Sequence, residues 1–236
     1  MYYVGSKNRI SKHILPLMLK ARKPKQWWVE PFVGGANIID KITGNRKIGN
    51  DINKYIIALL KSVKSGYVPP INVSKDFYYA IKKEPDNYPD ELVGFVAIGC
   101  SFGGKWFGGY ANNKSGRNYA KEASNSLVKQ APNLRGVNFT CGSYKEMTIP
   151  RNSLIYCDPP YDTKTKAYIN SFDNYTEFWQ WCREKSSDGH MVYVSSYDAP
   201  SDFEIVVSIE HITTLNKNKK NKRIEKLFIH NKTRIK

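Results

Sequence analysis

The segment Ser153–Asp162, SLIYCDPPYD, constrains the fold more than any other stretch of comparable length. Leu154, Ile155, Tyr156 and Cys157 have the apolar, β-branched and aromatic character of a buried strand. Asp158, Pro159 and Pro160 end it abruptly. A proline has no N–H with which to extend a ladder inside a sheet, and a residue preceding proline is pushed into extended backbone. The three residues therefore belong just past the carboxyl end of a core strand, where open α/β sheets bind their ligands. There the Asp158 carboxylate and the Pro159 carbonyl form two acceptors on a stiff backbone, with the Tyr161 ring beside them.

Further strand-like runs occur at Trp27–Val33, Lys47–Gly49, Val137–Cys141, Met191–Val194, Glu204–Ile209 and Ile224–Ile229. Helical periodicity separates several of them, at Ser11–Ala21, Asn53–Lys64 and Tyr175–Lys185. This alternation predicts an α/β fold with a mostly parallel sheet covered on both faces. Between the last two runs stands only HITTLNKNKKNKR, too short for a crossover helix, so an antiparallel hairpin is expected at one edge. Residues 65–135 interrupt the pattern. They contain a helical run, Asp90–Cys100, and then SFGGKWFGGYANNKSGRNYAK, rich in glycine, aromatic and basic residues. The segment reads as an insertion, a small helical subdomain with an exposed hairpin, set into a body made of residues 1–64 and 136–236.

Thirty-seven Lys and Arg against 21 Asp and Glu give the 236 residues a formal charge of +16. Such a surplus costs self-repulsion in the folded state and suits a polyanionic partner, nucleic acid above all. A merely solvated basic surface is the plainer alternative. Cys100, Cys141, Cys157 and Cys182 form no C-x-x-C pair and have no histidine at metal-ligand spacing. They read as reduced, buried thiols, and no metal is implied. Met1–Arg9 is too polar for a secretory leader and no apolar run reaches membrane-spanning length. A cytoplasmic protein with no membrane association and no obligate protein partner is expected.

An exocyclic amino group on a nucleobase carries two in-plane N–H donors, and its lone pair is delocalised into the ring. Two converging acceptors and an aromatic face match that group. Donating to Asp158 and Pro159 would draw the nitrogen towards tetrahedral geometry and free its lone pair, by positioning and electrostatics rather than full proton abstraction. Trp27–Asn37, WWVEPFVGGAN, reads as a strand, a glycine turn and then a helix, the glycines letting backbone approach a ligand closely. Asp51, within Asn50–Asn53, follows near where an acid grips ribose hydroxyls in nucleotide-binding βαβ units. A helix cap or turn residue is the alternative for it.

YVGSK (Tyr3–Lys7), VEPFVGG (Val29–Gly35), NDIN (Asn50–Asn53) and DPPY (Asp158–Tyr161), in that order, resemble the motifs of the Dam-type DNA adenine-N6 methyltransferases. The resemblance implies a Rossmann-like, S-adenosylmethionine-dependent methyltransferase sheet, with residues 65–135 in the slot of the target-recognition insertion. It implies that Tyr3 and Lys7 help enclose S-adenosylmethionine, that Glu30, Pro31, Phe32, Gly34 and Gly35 form its main cradle, and that Asp51 holds its ribose. Tyr144 would stack on the cofactor adenine, although Ser143 stands where the family often has aspartate. Ser6 and Ala36 likewise replace glycines common in the family, both as small changes. Asp158 would face the methionine moiety and the target amine, with Pro159, Pro160 and Tyr161 completing the catalytic corner. The activity implied is direct methyl transfer to N6 of a flipped-out adenine in double-stranded DNA. N4 of cytosine poses the same chemical problem, and a catalytically silent DNA-binding module on the same scaffold is a third reading. No cysteine stands in a motif that would supply a nucleophile, which argues against C5-cytosine chemistry.

A base in a stacked duplex must be extruded before its amine can react, at a cost of roughly a few kcal/mol. DTKTKAYINSFDNYTEF, following the motif, has the length and polarity of a lid, with Phe172 and Tyr175 ordering it by packing. In the insertion, Lys105, Asn112, Asn113, Lys114, Arg117 and Asn118 are candidates for DNA contacts. Arg and Asn make bidentate pairs with guanine and adenine edges. Trp106, Phe107 and Tyr110 read as subdomain core rather than base wedges. Asn8 and Arg9 are candidates for contacts near the target, and the basic run Lys217–Arg223 suits phosphate.

Overall fold

The apolar runs assemble into a seven-stranded sheet: β1 (Trp28–Glu30), β2 (Lys47–Asp51), β3 (Val137–Cys141), β4 (Leu154–Cys157), β5 (Met191–Ser196), β6 (Phe203–Asn216) and β7 (Lys219–His230). This computed structural model describes residues 1–112, 116–160, 174–216 and 219–231, and the side chains of residues 211–223 lie outside the description. The spatial order is β3-β2-β1-β4-β5-β7-β6. Strands β1 to β5 pair in parallel, whereas β7 runs antiparallel to both β5 and β6. The expected mostly parallel sheet with an antiparallel edge hairpin is therefore the fold. The chain moves outward from β1 to β2 and β3, then returns to lay β4 on the other side of β1. The carboxyl ends of β1 and β4 thus diverge at a topological switch point, the crevice where such sheets bind ligands.

Strand alternation sorts the core onto two faces. Trp28, Leu154, Tyr156, Tyr193 and Leu227 pack with α1 (Ser11–Ala21) and α2 (Lys54–Lys64). Val29, Ile155, Cys157, Val192 and Val194 pack with Phe178, Trp181 and Cys182 of α6 (Tyr175–Ser187). Helix α2 is apolar on two sides. Its Ile56, Ile57 and Leu60 face the sheet, and its Tyr55, Leu59 and Val63 join a third core with α3 (Lys75–Lys83), α4 (Asp90–Gly99) and α5 (Tyr119–Gln130). Helices α2 and α4 approach closely at Gly94, where a Cβ would lie 2.3 Å from the Tyr55 carbonyl oxygen.

Several local expectations give way. Pro31 ends β1 before Val33, and the glycine turn leads into a single 3-10 turn, Ile39–Lys41, rather than a helix. Ala36 sits there at φ 55°, and β2 begins too soon for an α-helix to fit. Residues 65–135 hold α3 and α5 besides the expected α4. The glycine-rich stretch closes over a short span: the antiparallel Ser101–Tyr110 bridge is flanked by the Phe102 N–H on Gly109 O at 2.9 Å and the Ala111 N–H on Cys100 O at 2.8 Å, with Gly103 and Gly104 at positive φ in the turn. Trp106, Phe107 and Tyr110 pack inward while Phe102 is exposed, Trp106 stacking on Tyr55 at 5.6 Å and the Tyr110 hydroxyl donating to Val73 O at 2.8 Å. Cys100, Cys157 and Cys182 are buried, but Cys141, at the end of edge strand β3, is exposed, contrary to the expected four buried thiols.

Candidate active site

A cavity of about 320 Å³ lies at the carboxyl ends of β1 and β4. All ten residues assigned to the cofactor from the sequence line it: Tyr3, Lys7, Glu30, Pro31, Phe32, Gly34, Gly35, Asp51, Tyr144 and Asp158. Pro160 also lines it, and Pro159 is buried. Tyr161, Asn113, Lys114 and Phe172 lie outside the described residues, as does most of the expected lid.

The glycine turn is tied to the end of β2. The Val33 N–H donates to Asn50 O at 2.7 Å, and the Gly34 N–H donates to Asp51 Oδ2 at 2.9 Å. Asp51 Oδ1 accepts from the Asn53 N–H at 3.0 Å, and Asn53 in turn caps α2. Asp51 thus acts as a turn residue while forming part of the cavity wall. Burial raises its carboxyl, against the N–H groups that pull it back. Tyr3 packs directly on bare backbone: a Cβ at Gly34 would meet Tyr3 Cε1 at 2.8 Å, and one at Gly35 would meet Tyr3 Cβ at 2.8 Å. Glu30 is buried, its Oε1 accepting from Trp28 Nε1 at 2.7 Å, and burial drives its carboxyl well above the usual range.

Tyr144 lies on the 3-10 turn Tyr144–Glu146 and packs against Phe32 and Trp181, with ring centroids 5.1 and 5.3 Å away. Burial raises its hydroxyl to about 12. Ser143 lines the cavity and caps that turn by accepting from the Lys145 N–H at 3.3 Å.

Asp158 stands one residue past β4, where the prolines require it. Its Oδ1 is 2.8 Å from Lys7 Nζ. That ammonium, on a side chain only 4% exposed, also lies 3.0 Å from Glu225 Oε1 of β7 and donates to Gly5 O at 3.1 Å. Burial pushes the Asp158 carboxyl up to about 6; Lys7 pulls it down and Glu225 pushes it further up. Burial works to lower Lys7, but the two carboxylates outweigh it and hold the ammonium above its ordinary value. The Tyr175 hydroxyl, at the start of α6, donates to the Pro160 carbonyl.

Sequence reasoning missed Glu225. The available signal was phase: Glu225 alternates with Leu227 and Ile229, both buried in the core. A carboxylate on the apolar face of a strand needs a buried cation.

The residues assigned to DNA lie elsewhere. Asn8 and Arg9 are exposed on the 3-10 turn that begins at Lys7. Lys105 is half-buried between Gly104 and Trp106, both of which line the cavity. The Val4 N–H donates to Gly104 O at 3.1 Å, and a Cβ on Gly104 would lie 3.1 Å from Tyr3 N. Asn112, Arg117 and Asn118 line a second groove of about 650 Å³, with Ser74, Phe77 and Tyr110. Arg117 forms a forked pair with Glu122, at 2.7 and 2.5 Å. Asn118 caps α5 by accepting from the Lys121 N–H at 2.9 Å, and it donates to Asn72 Oδ1 at 3.0 Å. Among the described residues no His, Cys, Asp and Glu group is arranged to hold a metal, and no helix is long and apolar enough to cross a membrane.

A switch-point crevice with a bare glycine turn on one lip and an acid-proline-proline corner on the other defines a ligand-binding α/β protein of the doubly wound class. More narrowly, the chain belongs to the D12 class N6 adenine-specific DNA methyltransferase family, whose model matches residues 3–99 and 104–228. It is 23% identical over 191 residues to the type II methyltransferase M.FokI of Planomicrobium okeanokoites, covering 70% of this chain and 29% of that one. It is 23% identical over 222 residues to the modification methylase StsI of Streptococcus sanguinis, covering 83% of this chain and 33% of that one. The chain thus spans about a third of the length of these relatives. The crystal structure of SMU.472 complexed with SAH overlays 98% of this chain and 54% of that one, at 10% identity and a TM-score of 0.38.

Proposed function

We propose that the chain transfers a methyl group from S-adenosylmethionine to N6 of a flipped-out adenine at a specific site in double-stranded DNA, in the cytoplasm. The observation that carries this reading is the position of Asp158: a half-buried acid on a proline-stiffened strand tip, sharing one cavity with the glycine turn and Asp51. The residues present fit the methyl donor. The cavity, about 320 Å³, is within the range of small-ligand pockets. Its wall carries the Glu30 and Asp158 carboxyls, acidic groups suited to face a cationic sulfonium. Tyr3, the glycine turn and Tyr144 would hold the donor, with Asp51 at its sugar. When bound, the donor supplies an electrophilic methyl group on a sulfonium.

The chain's own work is then positioning. Asp158, held through Oδ1 by Lys7, accepts one N–H of the target amine, and the Pro159 carbonyl accepts the other. At neutral pH, above its raised value of about 6, Asp158 is largely ionised, which makes it the stronger acceptor. The Tyr175 hydroxyl on the Pro160 carbonyl steadies the corner. Residues 65–135 serve as the target-recognition insertion on the body formed by 1–64 and 136–236. Asn8, Arg9, Lys105, Asn112, Lys114, Arg117 and Asn118 supply DNA contacts.

The test is incubation of unmethylated duplex DNA with tritiated S-adenosylmethionine, followed by identification of the labelled nucleoside. N6-methyladenine is expected. Label in N4-methylcytosine, or DNA binding without any incorporation, overturns the reading.

A further inference from the structure

We infer that Glu225 is a positioning residue for the amine-accepting corner: through the Lys7 ammonium it holds the Asp158 carboxylate in place. The inference deepens the function proposed above and rests on it. Lys7 Nζ has three N–H donors, and among the described residues it meets three acceptors: Gly5 O at 3.1 Å, Asp158 Oδ1 at 2.8 Å and Glu225 Oε1 at 3.0 Å. One acceptor comes from the N-terminal segment, one from the tip of β4 and one from β7, so the ammonium is fixed from three directions. Lys7 and Asp158 line the cavity, whereas Glu225, 7% exposed in its side chain, stands behind Lys7 and does not. Among the described residues, Glu225 is tied to the reacting corner by its ion pair with Lys7, and its charge bears on Asp158 from behind it.

Two carboxylates around one ammonium also leave a net negative charge at the corner. The titratable groups facing Asp158 are Lys7 from the N-terminal segment, Glu225 from β7, Glu30 from β1 and the Tyr156 phenol from β4. Of these, Glu225 bears on Asp158 by repulsion, which a role confined to satisfying Lys7 would not require. Removing its charge while keeping an acceptor should make Asp158 easier to ionise and leave Lys7 less firmly placed.

Two substitutions separate charge from reach. Glu225→Gln keeps an acceptor for Lys7 and removes the charge; Glu225→Asp keeps the charge on a shorter arm. The Asp158 carboxyl is followed by ¹³C NMR titration without ligand, and methyl transfer is measured as a pH profile. In Glu225→Gln the Asp158 midpoint and the acid limb of kcat/KM should both fall by about 0.5–1 pH unit. On the plateau, kcat should fall about tenfold with KM for DNA nearly unchanged. Glu225→Asp should keep the wild-type midpoint and lose kcat several-fold. A folded Glu225→Gln with unmoved midpoints, or a Glu225→Asp with wild-type kcat, overturns the inference. Should Glu225→Gln fail to fold, Glu225→Asp alone decides. A wild-type protein that methylates no DNA, with the NMR midpoint still shifting in Glu225→Gln, fails the proposed function and not the coupling. Full methylation with an unmoved midpoint fails the coupling alone.

Discussion

The cavity at the carboxyl ends of β1 and β4 and the groove lined by Asn112, Arg117 and Asn118 hold their polar side chains by different means. In the cavity the partners are remote in sequence: Lys7 meets Asp158 and Glu225, Asp51 meets Gly34, and Gln130 Nε2 donates to Gly35 O at 3.1 Å. In the groove they are exposed, and those of Arg117 and Asn118 include local ones beside the remote tie of Asn118 to Asn72. Arg117 pairs with Glu122, and Asn118 caps the helix that follows it. Ties between distant segments exist only when the whole sheet is assembled, and they fix geometry to the precision that chemistry demands. Exposed local pairs cost little to exchange. The Arg117 guanidinium is half-exposed beside Glu122, whereas the Lys7 ammonium is buried among its partners. One region is built to hold still and the other to change partners.

Breaking the rigid side should have the largest effect. Asp158→Ala is expected to lower kcat by about 10²–10³-fold or more, as for loss of a transition-state contact, while gel-shift affinity for DNA stays near wild type. Wild-type turnover in that variant would dismiss the corner as the reaction centre. Titration should reproduce part of this loss without mutation. The ionised carboxylate of Asp158 is the stronger acceptor and its carboxyl is raised to about 6, so kcat/KM should fall by up to about tenfold per pH unit below that value. The linkage to stability has the opposite sense: a carboxyl raised above its ordinary 3.8 stabilises the fold below that value, and the contribution is lost as pH climbs through 6. Activity and this part of stability should therefore move in opposite directions between those limits, in rate profiles and urea titrations run side by side.

A smaller effect is expected where the two regions join. In Gly94→Ala the new Cβ would lie 2.3 Å from the Tyr55 carbonyl, so α2 and α4 must separate. A loss of about 1–3 kcal/mol in urea unfolding is expected. An unchanged midpoint would mean that the two cores are not rigidly joined. The smallest effect on rate belongs to the exchangeable side. Arg117→Ala should relax discrimination between related DNA sites by about tenfold, the scale of one bidentate base contact. Its kcat and Tm should stay near wild type. Undiminished discrimination would remove Arg117 from the reading face.

The same division governs how much could be read in the sequence. Asp158, Pro159 and Pro160 announce their position because the prolines lack N–H groups, a local fact, and β4 ends where they require. Strands β3 and β4 and helix α1 have the bounds their patterns give, because each periodicity is local too. Helix α5 is harder to see: it buries Ala120, Ala123 and Ser124, small residues that leave a faint apolar stripe. The turn after Gly35 looks helical in pattern, yet the early start of β2 leaves room only for a 3-10 turn. The pairing of Lys7 with Glu225 has no local signature beyond strand phase, since neither residue has its partner within the same element. Cys141 is exposed because β3 is an edge strand, a fact about strand order that composition does not carry.

Gly104 and Tyr3 meet along a seam that contains only backbone, closed by the Val4 N–H on the Gly104 carbonyl. Such a joint has no side chain to swing aside and absorb movement. A displacement of the insertion is passed to Tyr3, and Tyr3 rests on the turn at Gly34 and Gly35. A shift at Gly104 would therefore reach the cavity wall through a few atoms of main chain.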